Sequence, residues 1–419
     1  MKAEGYRALG GISACIESRR GRRRPFVERP HRLLGRAIVA ALATVCLLWL
    51  ATSRALAVQA PTRTEVQRAI QRIVDGGAPG VTAVIQTPAG RESFSAGYGD
   101  LRAGIPISPR DHFRVGSVAK TFTAAVVLKL VARGRIGLGD EVQKWFPRLV
   151  PNGAHITVRE LLNQSSGLAD YCAVPPESTL CIPPPQELAR QWTPRQLVEI
   201  GIGAKPTFPP GKGWAYSNTN YVLLGMIVQK ATGRSFGAVL RSEILRPLHL
   251  DQTEYPSGTA MPRPYSHGYD VLAGLTWPVD LTGQSPTIAW SSGAVVSTAG
   301  DLGKFLRALM SGRVLPPSLL REMKRATLSS LNGPHPFYGG GTGTYGLGLV
   351  HYTWSSACGV WGHTGDFPGY HTLAIVSGDG KRAAAIYVNS DELAAPGALA
   401  TLQAQRLLAC RMRFGRVHR

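Results

Sequence analysis

The stretch from Val118 to Ala132 reads VAKTFTAAVVLKLVA and is apolar on nearly every face of a helix. A surface helix carries one apolar stripe and a polar back. A helix that is apolar all round belongs between layers of structure. The chain must therefore supply elements that cover this helix on several sides. Its 419 residues suffice for one large domain or two intimate subdomains.

The same run opens on a Ser-x-x-Lys pair, Ser117 and Lys120. Positions three apart share a helix face, so hydroxyl and amine lie side by side at the helix start. Of the ten lysines, only Lys120 has a serine three residues before it. A serine hydroxyl is a poor nucleophile unless a neutral base touches it. Lysine can be that base only if its pKa falls, and burial and a helix N-terminus both push it down. The plainer reading is a capping serine followed by a surface lysine.

The rest of the chain suggests what surrounds this helix. Pro61 to Asp75 reads as a helix with Val66, Ile70 and Ile73 on one face. Gly80–Thr87 and Arg91–Gly97 read as a hairpin about Pro88-Ala89-Gly90. Helices follow: Thr157 with Glu160 forms a capping box, Thr193 caps a helix reaching Ile202, and Asn220 to Ala231 is another. Ser292 to Ser297 reads as a buried extended segment, and Thr298 or Asp301 caps a helix to Met310. Strands return over Tyr345–His351, Val360–His363, His371–Ser377 and Arg382–Asn389, before a closing helix from Ala394 to Cys410. The order is strands, helical block, strands. It implies an α/β (α+β) fold: an antiparallel sheet built from both ends of the chain and flanked by helices, with an all-α subdomain inserted over roughly residues 120–280. The domain spans 62–410.

Two more clusters carry polar chemistry. Tyr216-Ser217-Asn218 follows a Pro-Pro-Gly turn and precedes a helix. A phenol near a serine and a lysine can shuttle a proton, and an asparagine can hold a substrate amide. Trp361-Gly-His-Thr-Gly-Asp366 sets His363, Thr364 and Asp366 among Gly362 and Gly365, which let a substrate backbone approach closely. Each cluster alone also reads as ordinary loop or structural polarity. Gly341-Thr-Gly-Thr-Tyr-Gly346 matches the dinucleotide fingerprint in form only, because no strand–turn–helix unit surrounds it. No Walker A lysine motif and no G-x-S-x-G elbow occurs.

The net charge of +21 is unevenly placed. Residues 1–57 hold eleven Arg and Lys against three acidic residues, and four arginines fall in a basic tail, 411–419. No basic-aromatic stripe accompanies them, so no nucleic-acid partner is expected. Arg32 and Arg36 precede an uncharged apolar run, Ala37 to Ala51, followed by Ala55-Leu56-Ala57. These are the parts of an export signal, cleaved or kept as a membrane anchor. The chain is then secreted or anchored outside the cytoplasm. Beyond this leader four cysteines remain, suggesting Cys172–Cys181 and Cys358–Cys410 disulfides or four buried thiols. No zinc spacing occurs.

Taken in order, Ser117-x-x-Lys120, Tyr216-Ser217-Asn218 and His363-Thr364-Gly365 resemble the penicillin-recognising serine hydrolases. The group meant is that of class C β-lactamases, D-alanyl-D-alanine carboxypeptidases and esterase relatives. Ile156–Leu168, Phe208–Gly211 and Ser291–Ala294 agree with it as well. The resemblance implies an acyl-enzyme on Ser117, with Lys120 and Tyr216 relaying the proton. It implies Asn218, His363, Thr364, Gly365 and Asp366 on the substrate side, with the backbone N–H groups of Ser117 and Asp366 as oxyanion hole. No metal or cofactor is implied. The substrate is a D-amino-acid peptide, β-lactam or ester, and a D-Ala-D-Ala carboxypeptidase-like peptidase is the activity expected first. Two departures bear on that choice. No arginine or lysine lies between Tyr345 and Trp361 to bind a terminal carboxylate, and Asp366 would repel one. Esterase or β-lactamase action, and a non-catalytic cell-wall binding module, stand as alternatives.

Overall fold

The computed structural model describes residues 61–174, 181, 187–271, 277–327, 342–353, 359–391 and 395–414. The leader, Cys358, Gly341, Arg416 and Arg419 lie outside them. The first described helix, α1 (Arg63–Asp75), is set by a Thr62–Glu65 capping box and buries Val66, Ile70 and Ile73. Strands β1 (Gly80–Thr87) and β2 (Gly90–Asp100) form the expected hairpin, with β3 (Ile105–Pro106) outside β2. Short β4 (Phe113–Arg114) leads into the buried helix α2 (Ala119–Ala132). The helical block holds Val158–Leu162, Pro194–Gly203 and α3 (Asn218–Thr232). Strands β5 (Tyr269–Asp270) and β6 (Val279–Asp280) pair with each other, and β7 (Val296–Ser297) pairs with β4. Helix α4 (Ala299–Met310) follows a Thr298 cap. Then come β8 (Thr342–Tyr345), β9 (Val350–Thr353), β10 (Gly359–Phe367), β11 (Tyr370–Val376), β12 (Ala383–Val388) and α5 (Ala395–Phe414).

The main sheet has eight strands in the order β3-β2-β1-β12-β11-β10-β9-β8. Its pairings are antiparallel, and the two ends of the chain meet where β1 runs beside β12, Val81 opposite Val388. Strand side chains alternate between faces. Val81, Ala83 and Ile85 share one cluster with Val66, Ile70 and Leu408, under α1 and α5. Val84 joins the other cluster, with Phe122, Phe305 and the helical block. Both faces are covered, which is why the strands read as continuous apolar runs. Helix α2 has the burial its composition demands: Ala119 through Leu128 and Leu130 are all buried. Phe122 stacks on Phe305 of α4 at 3.8 Å between ring centres. Burying one such ring is worth about 1.5–3 kcal/mol.

Three segments depart from expectation. Ser292 to Ser297 is not extended throughout, because Trp290–Gly293 makes a helical turn and only β7 is strand. That turn aims the Ser291 and Ser292 carbonyls at Thr123 and Lys120 of α2, which a sheet ladder would not allow. Tyr345 to His351 breaks into β8 and β9 around Gly346–Leu349, and the Gly348 carbonyl accepts from Thr121 Oγ1 at 2.8 Å. The closing helix runs to Phe414, so Arg411 lies within it and pairs with Glu92 at 2.8 Å instead of opening a tail. Cys172 and Cys181 form a disulfide, and Cys410 is disulfide-bonded too. Among the described residues no helix is long and apolar enough to cross a membrane.

Candidate active site

Ser117 sits in a 3₁₀ turn, Gly116–Val118, that feeds directly into α2. The expected helix thus starts just after the serine, and the i, i+3 relation to Lys120 is kept. Gly116 has φ of +53°, a left-handed value that favours glycine. A Cβ there would lie 2.5 Å from the Asp366 carbonyl oxygen, and one on Gly365 would lie 2.8 Å from Ser117 N. The turn and β10 therefore touch backbone to backbone. This brings the amides of Ser117 and Asp366 to one spot, the arrangement an oxyanion hole requires.

Lys120 is fully buried. Its Nζ lies 2.9 Å from Ser117 Oγ, 2.6 Å from Asn218 Oδ1 and 3.0 Å from Ser292 O. Burial drives its pKa down to about 7, against the opposing pull of Asp170 and Asp366. A large share of the amine is therefore neutral near pH 7 and can take the serine proton. Its Nζ also stands 4.7 Å over the Tyr216 ring. Tyr216 hydrogen-bonds Ser117, yet burial and the nearby Tyr345 push its pKa well up. It remains a phenol, so of the two groups touching Ser117 the lysine is the base.

Asn218 is the first residue of α3, two positions earlier than the sequence suggests. Ser217 and Asn218 have their side chains bonded elsewhere: Ser217 Oγ donates to Ala169 O at 3.1 Å, and Asn218 Nδ2 reaches Asp170 at 3.0 and 3.1 Å. Both ends of the Asn218 amide are thus engaged within the protein, by Lys120 and Asp170. The expectation that it simply awaits a substrate amide needs that amendment. Asp170 escaped the sequence reading. It carries no motif, and only the fold brings it beside Asn218.

On the opposite wall, β10 pairs with β11 along its length but with β9 only as far as Gly362. From His363 to Phe367 the β9 side of the strand has no β9 partner, and at Gly365 and Asp366 it packs against the Ser117 turn. His363 is 3% exposed, and burial first of all lowers its pKa to about 3. It stays neutral. With Nδ1 donating to Thr364 O at 2.5 Å, Nε2 accepts from Tyr345 Oη at 3.1 Å. Asp366 is exposed and bonds His371 Nδ1 at 2.5 Å. Ser117, Trp214, Tyr216, Tyr345, His363 and Asp366 line a narrow cavity. Tyr345 and Trp214 were not foreseen; aromatic residues around the glycines were the one available signal. A larger cavity of about 790 Å³ lies by Arg241, Tyr255 and Trp290, but no lysine lines it. The chemistry belongs to the narrow one.

Residues 66–408 match the Beta-lactamase family. Penicillin-binding protein 4* of Bacillus subtilis is 28% identical over 321 residues, which cover 71% of this chain and 65% of that protein. The chain spans about half to two thirds of the length of the curated relatives it matches. A D-stereospecific amidohydrolase from Streptomyces sp. superposes with a TM-score of 0.72 at 37% identity, covering 81% of this chain and 97% of that one. The D-amino acid amidase from Ochrobactrum anthropi SV3, solved with L-phenylalanine amide, gives 0.71 at 28% identity, covering 82% and 96%. With the Ser–Lys pair, the facing tyrosine and the His-Thr-Gly strand assembled on this fold, the chain belongs to the beta-lactamase family.

Proposed function

We propose that the protein is an amidohydrolase that forms an acyl-enzyme on Ser117 and prefers small D-configured substrates whose scissile group is an amide or ester not followed by a free carboxylate. The observation that carries this is the charge of the cavity. Lys120 is the one lysine or arginine among the described residues bonded to Ser117, His363 is neutral, and Asp366 adds a carboxylate. Among the residues lining the cavity a terminal carboxylate would find no arginine or lysine, and it would meet the Asp366 carboxylate, weakened by its His371 partner. The amidase neighbours support the amide class. The penicillin-binding relatives support the carboxypeptidase alternative.

In this reading Ser117 Oγ gives its proton to Lys120 and attacks the carbonyl. The Ser117 and Asp366 N–H groups receive the oxyanion, each typically worth ~3 kcal/mol. The Tyr216 phenol passes its proton to the leaving nitrogen or oxygen and regains one from the Lys120 ammonium, which returns the lysine to its neutral form. Water then releases the acyl group by the same relay. The leader and the Cys172–Cys181 disulfide support action outside the cytoplasm, where disulfides persist. N-terminal mass analysis of the natural product tests the cleavage.

One side-by-side assay tests the activity. It compares D-phenylalaninamide, its L enantiomer, a D-Ala-D-Ala peptide, a chromogenic cephalosporin and a short nitrophenyl ester. The D-amide or ester is expected to be turned over faster than the D-Ala-D-Ala acid and the cephalosporin, and Ser117→Ala is expected to abolish all of it. Faster cleavage of the D-Ala-D-Ala acid would return the carboxypeptidase reading. No Ser117-dependent turnover of any substrate would favour a binding module.

A further inference from the structure

We infer that Asp170 is a positioning residue that aims the Lys120 lone pair at Ser117 by locking the orientation of the Asn218 amide. The inference rests on the reading of Ser117 as nucleophile and Lys120 as its base. Asp170 precedes the turn Tyr171–Ala173. Its oxygens accept from Asn218 Nδ2 at 3.1 and 3.0 Å and from Cys172 N at 3.2 Å. Burial raises the Asp170 pKa, but all three bonds come from donors and Lys120 lies close by, and these favour the carboxylate. A carboxylate only accepts, so Asn218 must turn its NH₂ toward Asp170 and its Oδ1 toward Lys120.

That orientation decides where the lysine's electrons point. A neutral amine has two N–H donors and one lone pair. Its three partners are Asn218 Oδ1, Ser292 O and Ser117 Oγ. The first two can only accept, so they take both N–H bonds. The lone pair is left for the Ser117 proton. On transfer the serine O–H bond breaks, a third N–H bond forms on Nζ, and the oxygen keeps the electron pair that attacks the carbonyl. A half-turn of Asn218 would set its NH₂ against the amine and compete for the same lone pair. The segment bearing Asp170 is braced against that slip: Thr219 Oγ1 donates to Ala169 O at 2.7 Å, Tyr171 N donates to Thr219 Oγ1 at 3.2 Å, and Cys172 is tied to Cys181.

Asp170 also caps its own turn through the Cys172 amide, a purely structural role. The pH profile separates the two roles. The charged and titratable groups that face Lys120 are Asp170, Asp366, Tyr216, Tyr221 and His363. Removing the Asp170 charge favours the neutral amine, so the acid limb of kcat/KM moves to lower pH.

The experiment compares Asp170→Ala and Asp170→Asn with wild type on the best substrate found, with melting curves as folding control. Asp170→Ala is expected to lose about tenfold to a hundredfold in kcat and to show the shifted limb. Asp170→Asn can still accept from Asn218 Nδ2. It is expected to regain part of that kcat while keeping the shifted limb, and it carries the test if the alanine variant does not fold. An unmoved limb overturns the inference, whether kcat stays within about twofold of wild type or falls together with the melting temperature. If wild type acylates Ser117 and the limb does not move, this inference alone fails. If wild type never acylates Ser117, the reading beneath it fails.

Discussion

Gly116 and Asp366 meet at backbone distance: a Cβ on the glycine would lie 2.7 Å from the Asp366 nitrogen and 2.5 Å from its carbonyl oxygen. The nucleophile's turn is therefore seated directly on the strand that forms the other wall. Gly116→Ala must either push the turn off the strand or leave φ of +53°. The expected result is a loss of about a hundredfold or more in kcat/KM, as for ~1 Å of misplacement. A left-handed alanine costs a further ~1–2 kcal/mol, visible in thermal melting. An alanine variant with wild-type turnover would show that the contact does not position Ser117.

Tyr216 is partly buried, and desolvation pushes its pKa well up, so it keeps its proton. Tyr216→Phe removes the hydroxyl but keeps the ring under the lysine. It is expected to lower kcat by about 10²–10⁴ with little change in KM or melting temperature. Steady-state kinetics on a good and a poor leaving group should show the larger loss on the poor one, where the leaving atom most needs a proton.

The pH dependence follows from Lys120. Its folded pKa is depressed to about 7, and the active form is the neutral one, so kcat/KM should rise with pH through about 7. His363 stays neutral down to about 3 and should add no limb between about 5 and 8, where an ordinary histidine titrates. A second, histidine-like limb abolished by His363→Gln would contradict this.

Asp366 sets the charge of the substrate side. Its side chain is 48% exposed and shares its charge with His371, so solvent and partner both weaken its field. Asp366→Asn is still expected to raise kcat/KM for carboxylate-ended substrates over amides by about three- to tenfold. Competition assays with matched acid and amide pairs would measure the ratio. An unchanged ratio would clear Asp366 of any part in selectivity.

Stability should respond to the Arg411–Glu92 pair, which joins α5 to β2. Both side chains are largely buried, at 12% and 13% exposure, and two guanidinium nitrogens reach the carboxylate at 2.8 and 2.9 Å. Arg411→Ala strands Glu92 and is expected to cost about 3 kcal/mol or more, read by denaturant unfolding, without changing kcat.

Much of this was legible in the residues themselves. The all-round apolar helix, the capping box at Thr157, the Thr193 cap and the terminal strands all carry local signals, and each has its place in the structure. The Ser117–Lys120 contact was legible too, because a three-residue spacing is a geometric statement. The site's remaining details depend on tertiary contacts with no local mark. Asp170 meets Asn218 across 48 residues. Tyr345 meets His363 only because Gly346–Leu349 folds back, and that segment reads as continuous strand until α2 claims its carbonyl. Ser292 and Gly293 read as extended because serine and glycine hold no strong propensity. The conformation of the Trp290–Gly293 turn is fixed by the donors it serves.

The pairing of β1 with β12 also governs how the molecule comes into being. A ribosome delivers Val81 long before Val388, so β1 waits with one edge bare while nearly the whole domain is made. Such long-range closure slows folding and exposes the early hairpin to wrong partners. The strand bearing His363 reaches β1 only through β11 and β12, so its place in the sheet is fixed when those last strands arrive. Hydrolytic competence is then expected to come late in folding, and a chain cut short before β12 is expected to carry every motif residue and no activity.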